Sequence, residues 1–271
     1  MKNTSLLYLT LLLFVISCNQ HINNKSETNT SSSKEKSTST DLQSQDEQVL
    51  STLWTSEEFR NNRDQRYRSM EEAYANPSNV VNLAVYSKFN GEIPSDIDTF
   101  KNVQLIGMNN NDLTELPEAI GNLLYLQEVH LNKNNFSEFP KVLTKNRYLR
   151  TVLISDNSIE SVPSEIKNLI YLENLVMNDN NIGEIPPEIF ELTSLKVLGL
   201  RENGIGELPD KFDQLPNLEK LNLQNNNIKE LPESLIMQGQ KLQRITLKGN
   251  PMSTGYVNQL RKQMPDTDIE F

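Results

Sequence analysis

The chain has one cysteine, two histidines and one tryptophan in 271 residues. A single thiol excludes an internal disulfide framework, so packing and hydrogen bonds must hold the fold. The histidines leave little for imidazole catalysis: His21 lies in a polar N-terminal stretch, and only His130 remains for a folded part. Basic residues are the minority, 26 against 36 acidic, for a net charge of −10. That balance excludes a nucleic-acid surface, which needs clustered Lys and Arg. Glycine-rich phosphate cradles are missing too, because "NGIGE" (203–207) runs into Leu-Pro rather than opening a long helix. The one long apolar run, Leu6 to Ile16, falls short of the ~20 residues that span a bilayer. No catalytic set, cofactor site or dedicated metal site is expected.

What is present begins with "MKNTSLLYLTLLLFVISCNQ". Lys2, a short apolar core and a small residue before the cut read as a signal peptide over 1–17. Val15-Ile16-Ser17-Cys18 resembles the bacterial lipobox. That resemblance implies that Cys18 is lipidated, becomes the first mature residue and joins the chain to the membrane through a lipid anchor. Each buried methylene of such an anchor contributes roughly 0.8 kcal/mol. Asn19, rather than Asp, then implies an outer-membrane lipoprotein of a diderm bacterium. The alternative is an ordinary secretory signal with a chance cysteine. Residues 18–45 are Ser, Thr, Asn, Lys and Glu with almost nothing apolar, a composition that cannot offset chain entropy and reads as a tether. From 46 to 79 apolar residues return at helical spacing (Val49, Leu50, Leu53, Trp54, Phe59), and Ser69 and Pro77 offer a helix start and stop. This segment is expected to be a helical N-terminal cap; the other reading is a separate binding element anchored on Trp54.

The rest of the chain repeats itself. "MNDNNIGEIP" (177–186), "LRENGIGELP" (200–209) and "LQNNNIKELP" (223–232) are three copies of one phrase. Leu126, Val129, Leu131, Asn134, Phe136, Phe139 and Pro140 define the unit, and equivalent residues recur every 23 positions from Val80 to Pro232, save that the first unit has Lys88 where Asn should stand. A last unit starts 24 residues on, at Leu242. The apolar positions cannot be hidden within one unit, so units must stack. Positions 4 and 6 alternate as on a strand. Each Asn stands where the chain leaves that strand, and its amide can bond backbone groups of neighbouring turns. Asn111, Asn134, Asn157, Asn180, Asn203, Asn226 and Asn250 are thus expected to form a structural ladder. Pro followed by an acid suits the first turn of a helix. Asn146 departs from the frame, where Leu169, Leu192 and Leu215 fill the place, and weaker packing is expected there.

The unit L-x-x-L-x-L-x-x-N-x-L-x-x-L-P resembles the leucine-rich repeat, and eight consecutive copies cover 80–250. The resemblance implies an α/β solenoid: a horseshoe with a parallel concave β-sheet and a helical turn on the convex side. The atypical ends fit caps, helical at 46–79 and, at 251–271, a helix bearing Val257, Leu260 and Met264 with a closing strand at Ile269.

In that fold function sits at the variable outward positions. Leu105, His130, Leu153, Val176, Val197 and Arg201 are the candidates for a protein-binding concave face. Leu153 and Val176 stand out as apolar without a core reason, although isolated surface apolars are ordinary. Asp156, Asp179 and Glu202 occupy one position of adjacent repeats. They would form an acidic edge that receives a basic segment or a hard cation such as Ca²⁺, or is simply solvated. The expected function is a membrane-anchored recognition or adhesion module binding a protein; the alternative is a passive spacer of the cell envelope.

Overall fold

The computed structural model describes residues 46–62, 65–86 and 92–271. The signal peptide (1–17), Cys18, His21, the tether and Lys88 lie outside the described residues. The chain divides into two units, 1–48 and 49–271. No helix among the described residues is long and apolar enough to cross a membrane.

The second unit is one parallel sheet of ten short strands in strict chain order. They are β1 (Arg66–Tyr67), β2 (Asn82–Ala84), β3 (Leu105–Gly107), β4 (Glu128–His130), β5 (Thr151–Leu153), β6 (Asn174–Val176), β7 (Val197–Gly199), β8 (Lys220–Asn222), β9 (Arg244–Thr246) and β10 (Asp268–Glu270). The register keeps the frame expected from the sequence. Leu105, Glu128, Thr151, Asn174, Val197, Lys220, Arg244 and Asp268 are neighbours across successive strands. In β2–β9 the middle residue, such as Val152, Leu175 or Leu198, is fully buried, while most of the flanking residues in β4–β9 keep some exposure. Parallel strands need a crossover, and here each crossover is one coil of the solenoid.

The apolar positions of all eight repeats fuse into one continuous core, joined by Phe100, Phe136, Phe139, Phe190 and Phe212. Burying each such side chain contributes about 1.5–3 kcal/mol. Because no repeat closes its own core, stability is shared between neighbours.

The convex turns are single 3₁₀ turns, such as Glu118–Asn122, Lys141–Lys145, Ser164–Asn168 and Pro187–Glu191. The prolines differ from expectation in one detail. Pro117, Pro140, Pro163 and Pro186 stand just outside each turn as its N-cap, with extended backbone, rather than inside its first turn. The fixed φ of proline suits this entry, and the acids Glu118, Glu165 and Glu188 follow at the positive end. The seventh repeat, Leu218 to Lys241 and one residue longer, carries a short α-helix on this side, Glu233–Met237.

Asn146 also differs from expectation. It is 4% exposed, and its Nδ2 donates to the carbonyls of Ile120 at 2.9 Å and Leu123 at 3.1 Å. An amide stitching two coils has taken the place of a leucine.

The caps match in part. At the C-terminus Ser69's counterpart is Ser253, which caps a helix over Thr254–Gln263 that buries Val257 and Leu260, and β10 closes the sheet around Ile269. At the N-terminus the single amphipathic pattern is broken. Residues 49–52 are helical, then Thr55 caps a new helix, Ser56–Asn61, through a capping box with Glu58. Ser69 caps Met70–Ala75 as expected. The cap is not purely helical, since β1 lies in it and adds a strand to the sheet.

Candidate functional site

Two polar ladders hold the strands in place. In the first, the Asn180 Oδ1 accepts from the Ile159 N–H at 3.0 Å, and its Nδ2 donates to the carbonyls of Ile154, Met177 and Asn178, each at 3.1 Å. Asn134, Asn157, Asn203, Asn226 and Asn250 repeat the arrangement. Asn111 at the first rung donates to the Val85 carbonyl at 2.8 Å. All seven rungs are buried except Asn157, which is half-buried.

The second ladder, two positions earlier, was not anticipated. Asn109 Oδ1 accepts from the Asn132 N–H at 2.8 Å, Asn132 Oδ1 from Ser155 at 2.7 Å, Ser155 Oγ from Asn178 at 3.2 Å, and Asn178 Oδ1 from Arg201 at 2.9 Å. The signal in the sequence was the recurring Asn at that place, obscured where Ser155 and Arg201 replace it.

With the backbone fixed, the strand-flanking side chains form the concave face. Leu153 and Val176 are register partners, half-buried, and Val197 lies one strand further on beside Asn174. Gly199 follows Val176 in the same row, and a Cβ there would lie 2.9 Å from Val176 Cγ1. Val176 therefore leans over the notch that glycine leaves, which gives part of its apolar character a packing reason. His130, beside Leu153 in register, has its Nε2 3.5 Å from Glu128 Oε2 on the same strand. Along the edge where the chain enters the strands, Glu173 joins Lys196 at 2.7 Å and Arg150 at 3.6 Å. The structure thus brings Leu153, Val176, Val197 and His130 onto adjacent strands.

Leu105 does not join them as an accessible contact. It occupies the expected strand position but is only 9% exposed, and residues 52–54 are bonded to its neighbour Gln104 and to Gln127.

The acidic edge has a backbone cause. Lys133, Asp156, Asp179, Glu202 and Asn225 share one repeat position, and all have φ between 53° and 58°. Left-handed backbone favours Gly, Asn and Asp, and Asn110 and Gly249 occupy the same place at the two ends. Arg201 serves the edge internally: its guanidinium pairs with Asp179 and reaches Glu202 Oε1 at 3.2 Å. Burial pushes the Asp179 carboxyl up despite the Arg201 charge beside it. A hydrogen bond from Asn225 Nδ2, 2.8 Å, holds Glu202 below the usual carboxylate range. Among the described residues no three His, Cys, Asp or Glu side chains converge as a metal site.

A convex patch was also missed. Leu124 and Ile170 are 52% and 44% exposed, and the rings of Tyr148 and Tyr171 stack at 5.8 Å with Arg147 over Tyr148. Tyrosine at one place in three consecutive units (Tyr125, Tyr148, Tyr171) was the available signal.

The family model described as Leucine rich repeat matches residues 170–228. Among solved structures, an internalin from Listeria monocytogenes aligns with a TM-score of 0.55 at 19% identity, covering 75% of this chain and 64% of that chain. The chain spans less than two thirds of that structure's length, and at this identity the likeness concerns the fold alone. No curated protein matches the chain. With its ten-stranded parallel sheet in repeat register and its buried asparagine ladder, the chain carries a leucine-rich-repeat solenoid.

Proposed function

We propose that the protein is a membrane-anchored recognition module that binds a protein partner on the concave face across β5–β7. One observation carries the reading: Leu153, Val176 and Val197 are half-exposed and apolar on three adjacent strands. The matching places on β8 and β9 hold Lys220, Asn222, Arg244 and Thr246. An apolar centre rimmed by charges such as Arg201 and the Arg150–Glu173–Lys196 group has the composition of a protein-binding patch. A rigid repeat scaffold presents it without an ordering cost.

The anchor rests on the sequence. Cys18, after the signal-like segment, would carry the lipid and place the solenoid at the outer membrane of a diderm envelope, with residues 19–45 as reach. Conversion of Cys18→Ala should move the protein from the detergent phase to the aqueous phase on phase partitioning. If Cys18→Ala partitions like the wild type, the anchor is elsewhere.

The binding reading is tested by Leu153→Glu with Val176→Glu. The pair should remain folded, with a melting temperature within a few degrees of the wild type, and lose cross-linking to its partner on intact cells. An unchanged cross-link pattern would favour a passive envelope spacer.

A further inference from the structure

Residues 52–54 cross the first repeats at the edge where the chain enters the strands. Gln104 and Gln127, one repeat apart and each just before its strand, hold them. The Trp54 N–H donates to Gln104 Oε1 at 2.6 Å, Gln127 Nε2 donates to the Trp54 carbonyl at 3.1 Å, and Gln104 Nε2 donates to the Thr52 carbonyl at 3.4 Å. Gln127 Nε2 also donates to Gln104 Oε1 at 2.7 Å, which joins the two side chains. Both backbone groups of a single residue are thus read by a pair of neutral amides.

The effect on burial is local. Gln104, Leu105 and Gln127 are 7%, 9% and 1% exposed. In later repeats the same two places hold Arg150, Thr151, Glu173, Asn174, Lys196 and Val197, all half-buried, and Lys220 and Arg244, both exposed. Leu53 on the crossing segment and Leu105 on β3 are buried, yet neither belongs to the continuous core of the solenoid. The crossing therefore covers binding-type surface and leaves the repeat core to close without it.

Two buried acceptors at this place stay unsatisfied. Asn82 Oδ1, on the residue in register with Leu105, and Gln127 Oε1 have no hydrogen-bond partner. Native interiors rarely leave such atoms unpaired.

We infer that the surface formed by Asn82, Gln104, Leu105 and Gln127 is a docking surface for an extended peptide segment of a protein partner, and that residues 52–54 fill it in cis as a displaceable strap. The strap itself shows the chemistry that fits: one backbone N–H and C=O for the two glutamines, and beside them an apolar side chain, Leu53, that is buried. A competing segment gains over the strap by adding a hydrogen-bond donor for Asn82 Oδ1 or Gln127 Oε1. The site lies on β2–β4, apart from the β5–β7 strip, so the two readings stand or fall separately.

The test uses the full-length protein and a fluorescent synthetic peptide with the sequence of residues 49–62. Leu53→Asp releases the strap. Trp54→Pro is a second release variant, which removes the N–H that Gln104 accepts and leaves Leu53 in place. Circular dichroism checks that each stays folded. The peptide should bind either release variant at least ten-fold more tightly than the wild type, whose own strap competes. Adding Leu105→Asp should remove that binding. Equal binding to wild type and release variants, no binding to any, or binding that survives Leu105→Asp overturns the inference. So does unfolding of both release variants, because the segment would then be a required part of the fold.

Discussion

Replacing Asn226 with Ala should cost clearly more stability than replacing Asn180, although the two are equivalent in sequence. Asn180 Oδ1 accepts from one backbone donor, Ile159 N–H at 3.0 Å; the Asn157 N–H turns instead to the Asp179 carbonyl at 3.2 Å. Asn226 Oδ1 accepts from two, Asn203 N–H at 3.1 Å and Ile205 N–H at 3.0 Å. The carbonyls differ as well. Those of Ile154, Met177 and Asn178, which Asn180 serves, also receive Asn157 Nδ2, Asn203 Nδ2 and the Asp156 N–H. Of those that Asn226 serves, Leu223 and Gln224 have second donors (Asn250 Nδ2 and the Glu202 N–H), while Leu200 depends on Asn226. Asn180→Ala therefore strands one buried N–H, and Asn226→Ala strands two N–H groups and one carbonyl. A stranded buried group costs about 1–3 kcal/mol, so the two variants should lose roughly 2 and roughly 4–6 kcal/mol. For a domain of this size 1 kcal/mol is about 2–4 °C, which puts the Asn226→Ala melting temperature roughly 4–16 °C below that of Asn180→Ala. Urea unfolding followed by circular dichroism gives the comparison directly. Amide exchange at Ile159 and Ile205 localises it, since a repeat array can open in parts. Equal losses, or a greater loss for Asn180→Ala, would refute the idea that stranded backbone groups set the cost.

Two further outcomes follow from the edge and the convex turns. Lys133 holds a left-handed φ of 58° on an exposed position, so Lys133→Gly should raise stability by up to about 1 kcal/mol and Lys133→Val should lower it, read by urea midpoints. Asp210 accepts hydrogen bonds from Ser234, one of them from its N–H at 2.8 Å, and these hold its carboxyl below the usual Asp range. A depressed folded pKa adds stability above the unfolded value, near pH 4, and that stability is lost as pH falls through the folded value. The drop in melting temperature between about pH 6 and pH 3 should be smaller in Asp210→Asn than in the wild type. An equal or larger drop would remove the linkage.

Much of the architecture was legible because it is set by repetition. Once Leu126, Leu149, Leu172, Leu195 and Leu218 are aligned, strand register and core follow, since only stacking hides those side chains. The asparagine ladder was legible for the same reason. Features that depend on a single local exchange or a distant partner were not. Asn146 reads as a missing leucine, yet its amide finds two carbonyls of the previous coil. Ser155 hides the second ladder by doing with a hydroxyl what Asn132 and Asn178 do with an amide. Leu105 could be placed on the concave row, but its burial could not, and the segment that bonds to its neighbour Gln104 comes from about fifty residues earlier in the chain.

The acidic edge shows how a scaffold requirement can imitate a binding site. Three acids in adjacent repeats look like a ligand set when only charge is compared. The backbone supplies another reason for two of them, because Asp156 and Asp179 stand where every repeat turns left-handed and where Asn110, Asn225 and Gly249 stand elsewhere. Glu202 is the residue that this reason does not cover, since Glu has no preference for that conformation. Glu202 and Asp179 are also the two that Arg201 bridges, at the place where Arg interrupts the second ladder's side chains. Among the acids of the edge, Glu202 with its partner Arg201 is therefore the one chosen by something other than the turn, and Gly199, two residues before Arg201, is in register with Val176. If the edge contributes to recognition, Arg201→Ala should weaken partner binding while Asp156→Asn leaves it unchanged. The reverse order would show that the charge of the row, rather than this single bridge, is what a partner meets.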